Sequence, residues 1–226
     1  SYTRREIPSA VLGPAEGQIT LFGTEAIATD PTHARRVANG LTWLGPMVRE
    51  RVMTGFLSTE EEKDLILLRF ARRCFDEGPR AVQMLGDPDV HAAFVLERNV
   101  NNEVCRFIEF IRFEEKDGML GSVIHPKNNV LPLLRGHFCS RLPDEDFLIF
   151  DAAHGTALLR QSGHVQYLTM EHYEPARDAD ELNWQALWKR FFHALTIEER
   201  RNAKAQMNHA PKRFWGGMVE MREPYI

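Results

Sequence analysis

"RFIEFIRFEEKDGMLGSVIHP", residues 106–126, changes the texture of the chain and decides its fold class. Upstream of it, apolar residues recur at helical spacing. Here aromatic and β-branched residues crowd together instead. Phe107, Ile111 and Phe113 alternate to one side, and Ile108, Phe110, Arg112 and Glu114 to the other. Asp117-Gly118 is a dipeptide suited to the positive φ angles of a tight hairpin. The pattern predicts strands over about 107–115 and 119–124.

Downstream, "NNVLPLLRGHFCSR" is expected to be a helix, with Asn129 near its cap and Pro132 in the first turn, where a missing N–H costs little. "DFLIFD", "TALLR" and "HVQYL" then carry three more short strands to about residue 168, separated by glycine-containing turns. Acidic residues 171–181 read as a linker. After it come a helix through Leu182, Leu187 and Phe191 and another opened by a Thr196/Glu199 capping box. Upstream, one helix runs from Asp30-Pro31 through Ala34, Val37, Ala38 and Leu41. A second opens at a Ser58/Glu61 capping box, puts Leu65, Leu68, Ala71 and Phe75 on one face and stops at Gly78-Pro79. A third is capped by Asp87 ahead of Pro88 and continues toward residue 105. Residues 1–30 form a weakly patterned arm that Ile19, Leu21 and Phe22 would pin down.

Helices, then strands around one helix, then helices again argue for an α+β fold. The expected sheet is mainly antiparallel, with strands near 107–124 and 146–168, packed with N-terminal and C-terminal helices. The expected organisation is a single domain over 1–226, with a basic helix and tail at about 196–226.

Composition narrows the function classes. The 226 residues carry a net charge of -4, so the chain is no polycation, and any anion site must be a local patch. Cys74, Cys105 and Cys139 lack CxxC spacing, which argues against a zinc ribbon or a dithiol centre and for a reducing compartment. No apolar run approaches the roughly 20 residues that span a bilayer, and no secretory leader opens the chain; a soluble, cytoplasmic protein is expected. Phosphate-binding loop, dinucleotide, zinc-protease, serine-hydrolase and zinc-deaminase motifs are all absent. His154, His164 and His172 lack the spacing of metal ligands, so neither a metal nor a cofactor is expected.

Four groups of residues carry candidate chemistry. His137 and Arg141 lie four apart on one helix face, as an anion or base clamp or as cations that favour a helix C-terminus. Asp151 ends an apolar strand, where a carboxylate can orient a histidine or cap the following turn. Arg112 and Glu114, two apart on one strand face, fit an ion pair or an acid at a site. The stretch 189–213 holds Lys189, Arg190, Arg200, Arg201, Lys204, Lys212 and Arg213 against Glu198 and Glu199, a local +5, followed at once by Phe214 and Trp215. Basic side chains next to aromatic ones suit phosphate contact plus base stacking; they also suit a solvated face beside two core plugs.

The run "RFIEFIRFEE…NVLPLLRGHFCSRL…FLIFD", followed by "ERRNAKAQMNHAPKRFW", resembles a bacterial family of unknown biochemical activity whose members are described as probable DNA metabolism proteins. The likeness covers nearly the whole chain from "REIP" onward. In that family the domain accompanies a radical-SAM protein of suspected DNA repair function or is fused to a uracil-DNA glycosylase-like domain. Position by position, the resemblance places the family's HF-x-x-R element at His137, Phe138 and Arg141 and its strand-end aspartate at Asp151. Its Arg-Asn pair falls on Arg201 and Asn202, with Gln206 beyond, and its tail on Pro211, Lys212, Arg213 and Phe214. Two departures stand out. Relatives carry a further stretch, opening with a short strand, ahead of the point where this sequence starts, so the expectation is either an uncovered sheet edge or a sequence that begins late. Ala152-Ala153-His154 stands where relatives often carry paired basic residues. Cluster-binding cysteines and glycosylase motifs are absent, so the resemblance implies a partner of such enzymes.

The resulting expectation is a nucleic-acid-binding or substrate-presenting partner of a repair enzyme, acting on damaged or single-stranded DNA. Arg201, Lys212 and Arg213 would contact phosphates, Phe214 or Trp215 would stack, His137 with Arg141 would meet a lesion or backbone, and Asn202 and Gln206 would read a base edge. The competing expectations are a hydrolase or lyase with His137 as general base and Asp151 or Glu114 beside it, and a module that docks a radical-SAM partner.

Overall fold

In the computed structural model of the chain, which describes residues 7–11, 25–175, 179–200 and 202–221, Asp30 and Asp87 cap helices as their positions foretell. The expected anchors Ile19, Leu21 and Phe22 and the candidate Arg201 lie outside the described residues. The chain divides into two units, Ser1–Asn101 and Asn102–Ile226.

The first unit is helical. Asp30 Oδ1 accepts from the backbone N–H groups of Thr32 and His33 at 2.7 and 3.1 Å, opening α1 (Pro31–Trp43). The next helix, α2 (Pro46–Phe56), has no counterpart in the sequence reading. Arg49, Glu50 and Arg51 interrupt its apolar pattern, and it begins where Gly45, at φ 112°, turns the chain into Pro46. Helix α3 (Lys63–Glu77) starts later than the Ser58/Glu61 capping box implies; Ser58 Oγ instead accepts from Glu60 N in the preceding turn. Its buried residues are Leu65, Leu67, Phe70 and Cys74, so the expected face is met in part: Leu65 is buried, and Ala71 and Phe75 pack partly buried against the core that Leu67, Phe70 and Cys74 enter. Leu67, Phe70 and Cys74 pack with Leu41, Leu44, Val48, Val90 and Leu96. Arg51 is buried among them. Its guanidinium lies 5.5 and 5.3 Å from the rings of Phe70 and Phe94 and donates to Glu97 Oε2 and the Val82 carbonyl, both at 2.7 Å. A planar cation with five donors can satisfy all these partners at once.

Helix α4 (Pro88–Phe110) runs across the division at Asn101 and ends in the second unit. It corrects the expected strand over 107–115. Val104, Phe107 and Ile111 continue a three-and-four spacing, so helical periodicity overrides the β-rich composition as far as Phe110. Only β1 (Glu114–Lys116) remains of that strand. It turns through Asp117 and Gly118, at φ 52° and 76°, into β2 (Met119–Ile124) as the Asp-Gly pair demands. Helix α5 (Leu131–Arg141) follows with Pro132 in its first turn, then β3 (Asp146–Asp151), β4 (Thr156–Gln161) and β5 (His164–Thr169).

The sheet order is β1-β2-β3-β4-β5. Every neighbouring pair is antiparallel except β2 and β3, which run parallel with α5 as their crossover. The fold is therefore α+β with a mostly antiparallel sheet, as expected, and it contains one βαβ unit. Alternation sorts the two faces. Leu148, Phe150, Ala157 and Leu159 pack with Met119, Val123, Leu168 and Tyr173 on one side. Phe147 and Ile149 point to the other, where Phe113 stands between Phe138 of α5, at 5.5 Å, and Phe147, at 6.1 Å.

The chain then forms α6 (Ala179–Leu195), a 3-10 turn at Glu198–Arg200 and α7 (Ala203–His209). The Thr196/Glu199 capping box does not open this last helix. Thr196 Oγ1 donates back to the Phe192 carbonyl, and Asn202 is the cap, accepting from Ala205 N at 3.0 Å. Two further 3-10 turns, Lys212–Gly217 and Val219–Met221, end the described chain. No described helix is long and apolar enough to cross a membrane.

Candidate nucleic-acid interface

The last turn of α5 and the end of α4 enclose a half-open pocket of about 600 Å³. Its walls are Ile108, Glu109, Ile111, Arg112, Phe113, Phe138, Arg141 and Leu142. Arg141 is exposed there and has no hydrogen bond or ion pair among the described residues. Arg112 is fixed: it donates to the Glu109 and Ile111 carbonyls, both at 3.1 Å, and lies 3.9 Å from Glu220 Oε1. Its charge thus goes to Glu220, not to Glu114 as the strand spacing proposed. Arg141 is the guanidinium left open to an anion, beside the half-buried ring of Phe113; Phe138, 3 % exposed, backs that ring from the core. Glu109 offsets part of that charge.

His137 does not line the pocket. It is half-buried, with its ring 5.0 Å from that of Phe138 in an edge-on arrangement, and its Nε2 is buried without a hydrogen-bond partner. Spacing put His137 and Arg141 on one helix face, and the wall formed around Phe138 separates their surroundings.

Asp151 holds a different imidazole from the one expected. Its carboxylate is 1 % exposed; Oδ1 accepts from Ala153 N and His154 N at 3.0 and 3.1 Å, and Oδ2 lies 2.7 Å from His154 Nδ1. The residue therefore caps the β3–β4 turn and orients a histidine at once. With Asp151 ionised, Nδ1 carries the hydrogen and Nε2 is left as the acceptor. The sequence signal was present as Asp-x-x-His-Gly at a strand end, with Gly155 at φ 63° completing the turn. The pair sits where the parallel strands β2 and β3 end, since Ile124 and Asp151 are register partners.

Burial pushes the Asp151 carboxyl above its ordinary value of 3.8, and the His154 hydrogen bond pulls it part of the way back. A folded-state value above the unfolded one means the folded state holds the proton more tightly. Above the raised value the cost of the buried charge is present in full. It is relieved as pH falls through that value toward 3.8. Asp151→Asn carries no such charge. In urea titrations across the acid range, wild type is expected to gain stability relative to Asp151→Asn through this window, and a pH-independent difference would contradict it.

Glu114 belongs to neither place. It pairs with Gly121 in the β1–β2 register, which directs it to the face of Leu148 and Phe150, opposite the face of Asp151. It is 4 % exposed, close enough to Tyr173 for its charge to add to burial in raising that phenol. A Cβ on Gly121 would meet the Tyr173 hydroxyl at 2.1 Å, so any larger residue there would have to displace the Tyr173 side chain.

The C-terminal tail divides its candidates between structure and surface. Phe214 is buried, with its ring 5.0 Å from that of Phe107 and 5.7 Å from that of Phe110. Arg213 reaches the buried Glu103 at 3.3 Å, and Trp215 Nε1 donates to the Ala210 carbonyl at 2.7 Å. Asn202 is spent as a helix cap, and Gln206 Nε2 lies 3.6 Å from Met221 S. Lys212 is exposed, its Nζ 5.8 Å from the Trp215 ring centre. Sequence reading missed Glu103. Nothing in its local pattern shows the loop it holds, which lies more than twenty residues downstream.

Residues 61–220 match the family described as Domain of unknown function (DUF4130). The chain belongs to that family. No curated protein and no solved structure matches it. The matched span takes in the Arg112/Arg141 pocket, the Asp151–His154 pair and the tail as far as Glu220.

Proposed function

We propose that the protein works in DNA metabolism as a nucleic-acid-binding or substrate-presenting partner of a repair enzyme. The observation that supports this reading is the half-open pocket, where Arg141 has no partner among the described residues and the half-buried Phe113 offers an apolar ring. A phosphate at Arg141 with a base against Phe113 suits a flipped or single-stranded nucleotide. The enzyme it would serve is the radical-SAM or uracil-DNA glycosylase-like protein that the sequence resemblance names.

The test is binding of labelled single- and double-stranded oligonucleotides at two salt concentrations. Arg141→Ala is expected to weaken binding roughly tenfold and to lower the salt slope by about one unit. Lys212→Ala is the better tail variant, since Arg213 is engaged with Glu103. Indifference of wild type to DNA at low salt would sink the proposal.

A second reading, a hydrolase or lyase, draws on the Asp151–His154 pair in place of His137. His154 would be the general base and Asp151 its orienting residue. Turnover of a damaged oligonucleotide that is lost in His154→Gln and kept in His137→Gln would favour it.

A further inference from the structure

The charged side chains that line the half-open pocket are Glu109, Arg112 and Arg141. Two of them already face an opposite charge. Arg106 Nη1 lies 3.2 Å from Glu109 Oε2, and Arg112 Nη2 lies 3.9 Å from Glu220 Oε1. The two pairs differ in weight. Glu109 and Arg106 are 52 and 37 % exposed, so water screens them. The Glu220 side chain is 4 % exposed, and its charge acts through a medium much less polar than water. Its other oxygen, Oε2, accepts from Trp188 Nε1 at 3.0 Å, which fixes the carboxylate against α6. Arg112 is fixed in turn by the Glu109 and Ile111 carbonyls. Glu220 thus stands beside Arg112 and cancels much of the charge that this part of the wall would otherwise show. Arg141 is left as the unanswered cation of the pocket among the described residues.

A single unanswered guanidinium selects among phosphates. An internal phosphodiester carries one negative charge, shared by two non-bridging oxygens that match the guanidinium fork. A terminal phosphate monoester carries about −1.5 to −2 at neutral pH, on three oxygens. Arg141 neutralises the first. With the second, much of a further negative charge remains beside Glu109 and the buried Glu220, where like charges repel. Phe113, half-buried in the same wall, offers a ring face to the base next to the phosphodiester.

We infer that the pocket takes an internal nucleotide of a DNA strand by its phosphodiester, and that Glu220, by neutralising Arg112, turns away strand ends that carry a terminal phosphate. The inference rests on the DNA-binding reading of this pocket. Its test is fluorescence anisotropy of the full chain with short single-stranded oligonucleotides labelled at the 3′ end. Wild type is expected to bind the 5′-hydroxyl and 5′-phosphate forms within about threefold of each other, and to lose roughly tenfold or more with uncharged methylphosphonate linkages. Glu220→Gln keeps an oxygen for Trp188 Nε1 and removes the charge beside Arg112. With unchanged circular dichroism, it is expected to favour the 5′-phosphate form by roughly tenfold, and adding Arg112→Ala is expected to abolish that preference. A wild-type preference for the 5′-phosphate form beyond about threefold, or indifference to methylphosphonates, overturns the inference and leaves DNA binding standing. A folded Glu220→Gln protein with the end preference of wild type does the same. Failure of wild type to bind any of these oligonucleotides at low salt overturns both.

Discussion

Glu103→Ala is expected to destabilise the fold by about 3–5 kcal/mol, because it takes the carboxylate away from the two buried donors of Asn128 and from the Lys127 N–H. The Glu103 side chain is 3 % exposed and close to saturated with hydrogen bonds. Oε1 accepts from Lys127 N at 2.9 Å, while Oε2 accepts from Asn128 N at 2.8 Å and from Asn128 Nδ2 at 2.7 Å. Arg213 adds a cation at 3.3 Å from Oε1. These donors sit in the loop that leads into α5, a helix whose N-cap, Val130, offers no side-chain cap. A carboxylate from α4 thus orders the entrance to the crossover helix from outside it. Glu103→Gln keeps the volume and one oxygen but turns an NH₂ toward a donor, so it is expected to cost about 1–3 kcal/mol. Chemical denaturation of the full chain measures both, with amide exchange at Lys127 and Asn128 as the local readout. A loss below about 1 kcal/mol for Glu103→Ala would show that the loop finds other acceptors.

Phe214→Ala is the second large effect, expected at about 3–5 kcal/mol if the tail stays docked around the cavity. The ring is 5 % exposed and meets Phe107 edge-on, with the Arg213 guanidinium 4.7 Å from its own centre on the outer side. The tail has further ties, since Arg106 donates to the His209 carbonyl at 2.8 Å. Should they fail with the ring gone, the tail detaches and the loss is capped at its docking energy. Faster proteolysis and amide exchange over 209–221 would then appear before global unfolding. Lys212→Ala is the control, expected within about 0.5 kcal/mol of wild type because that side chain is exposed. Equal effects of the two changes would refute the division of the tail into an anchor and a surface.

The four strands from β2 to β5 were legible because their cues are local. Each is a six-residue run, β3 as the continuous apolar stretch Phe147, Leu148, Ile149 and Phe150, and the hairpins carry Asp117-Gly118 and Ser162-Gly163, whose positive φ angles the turns require. The first strand was misread because aromatic and β-branched residues serve a buried helix end as well as a strand; only the three-and-four spacing of Val104, Phe107 and Ile111 separates the two. Helix α2 was unreadable because its buried positions include Arg51, whose partners Glu97 and Val82 arrive from elsewhere in the chain. At the site, the residue types were legible and their partners were not. Asp151 could be seen as an orienting carboxylate, yet the imidazole it holds stands three residues away in the turn it caps, not on α5.

The sequence by itself determined the α+β class, the hairpin turns, the caps at Asp30 and Asp87 and the local excess of positive charge near the C-terminus. Each follows from backbone propensity or from counting over a few neighbouring residues. Tertiary structure alone decided which face of the sheet each carboxylate occupies, that β2 and β3 run parallel, that Arg213 answers Glu103, and that Arg112 and Arg141 share a pocket. Those outcomes depend on pairings between segments distant in the chain. Such pairings are selected by the burial of whole faces and the satisfaction of buried charge, and neither is written in any short stretch of residues.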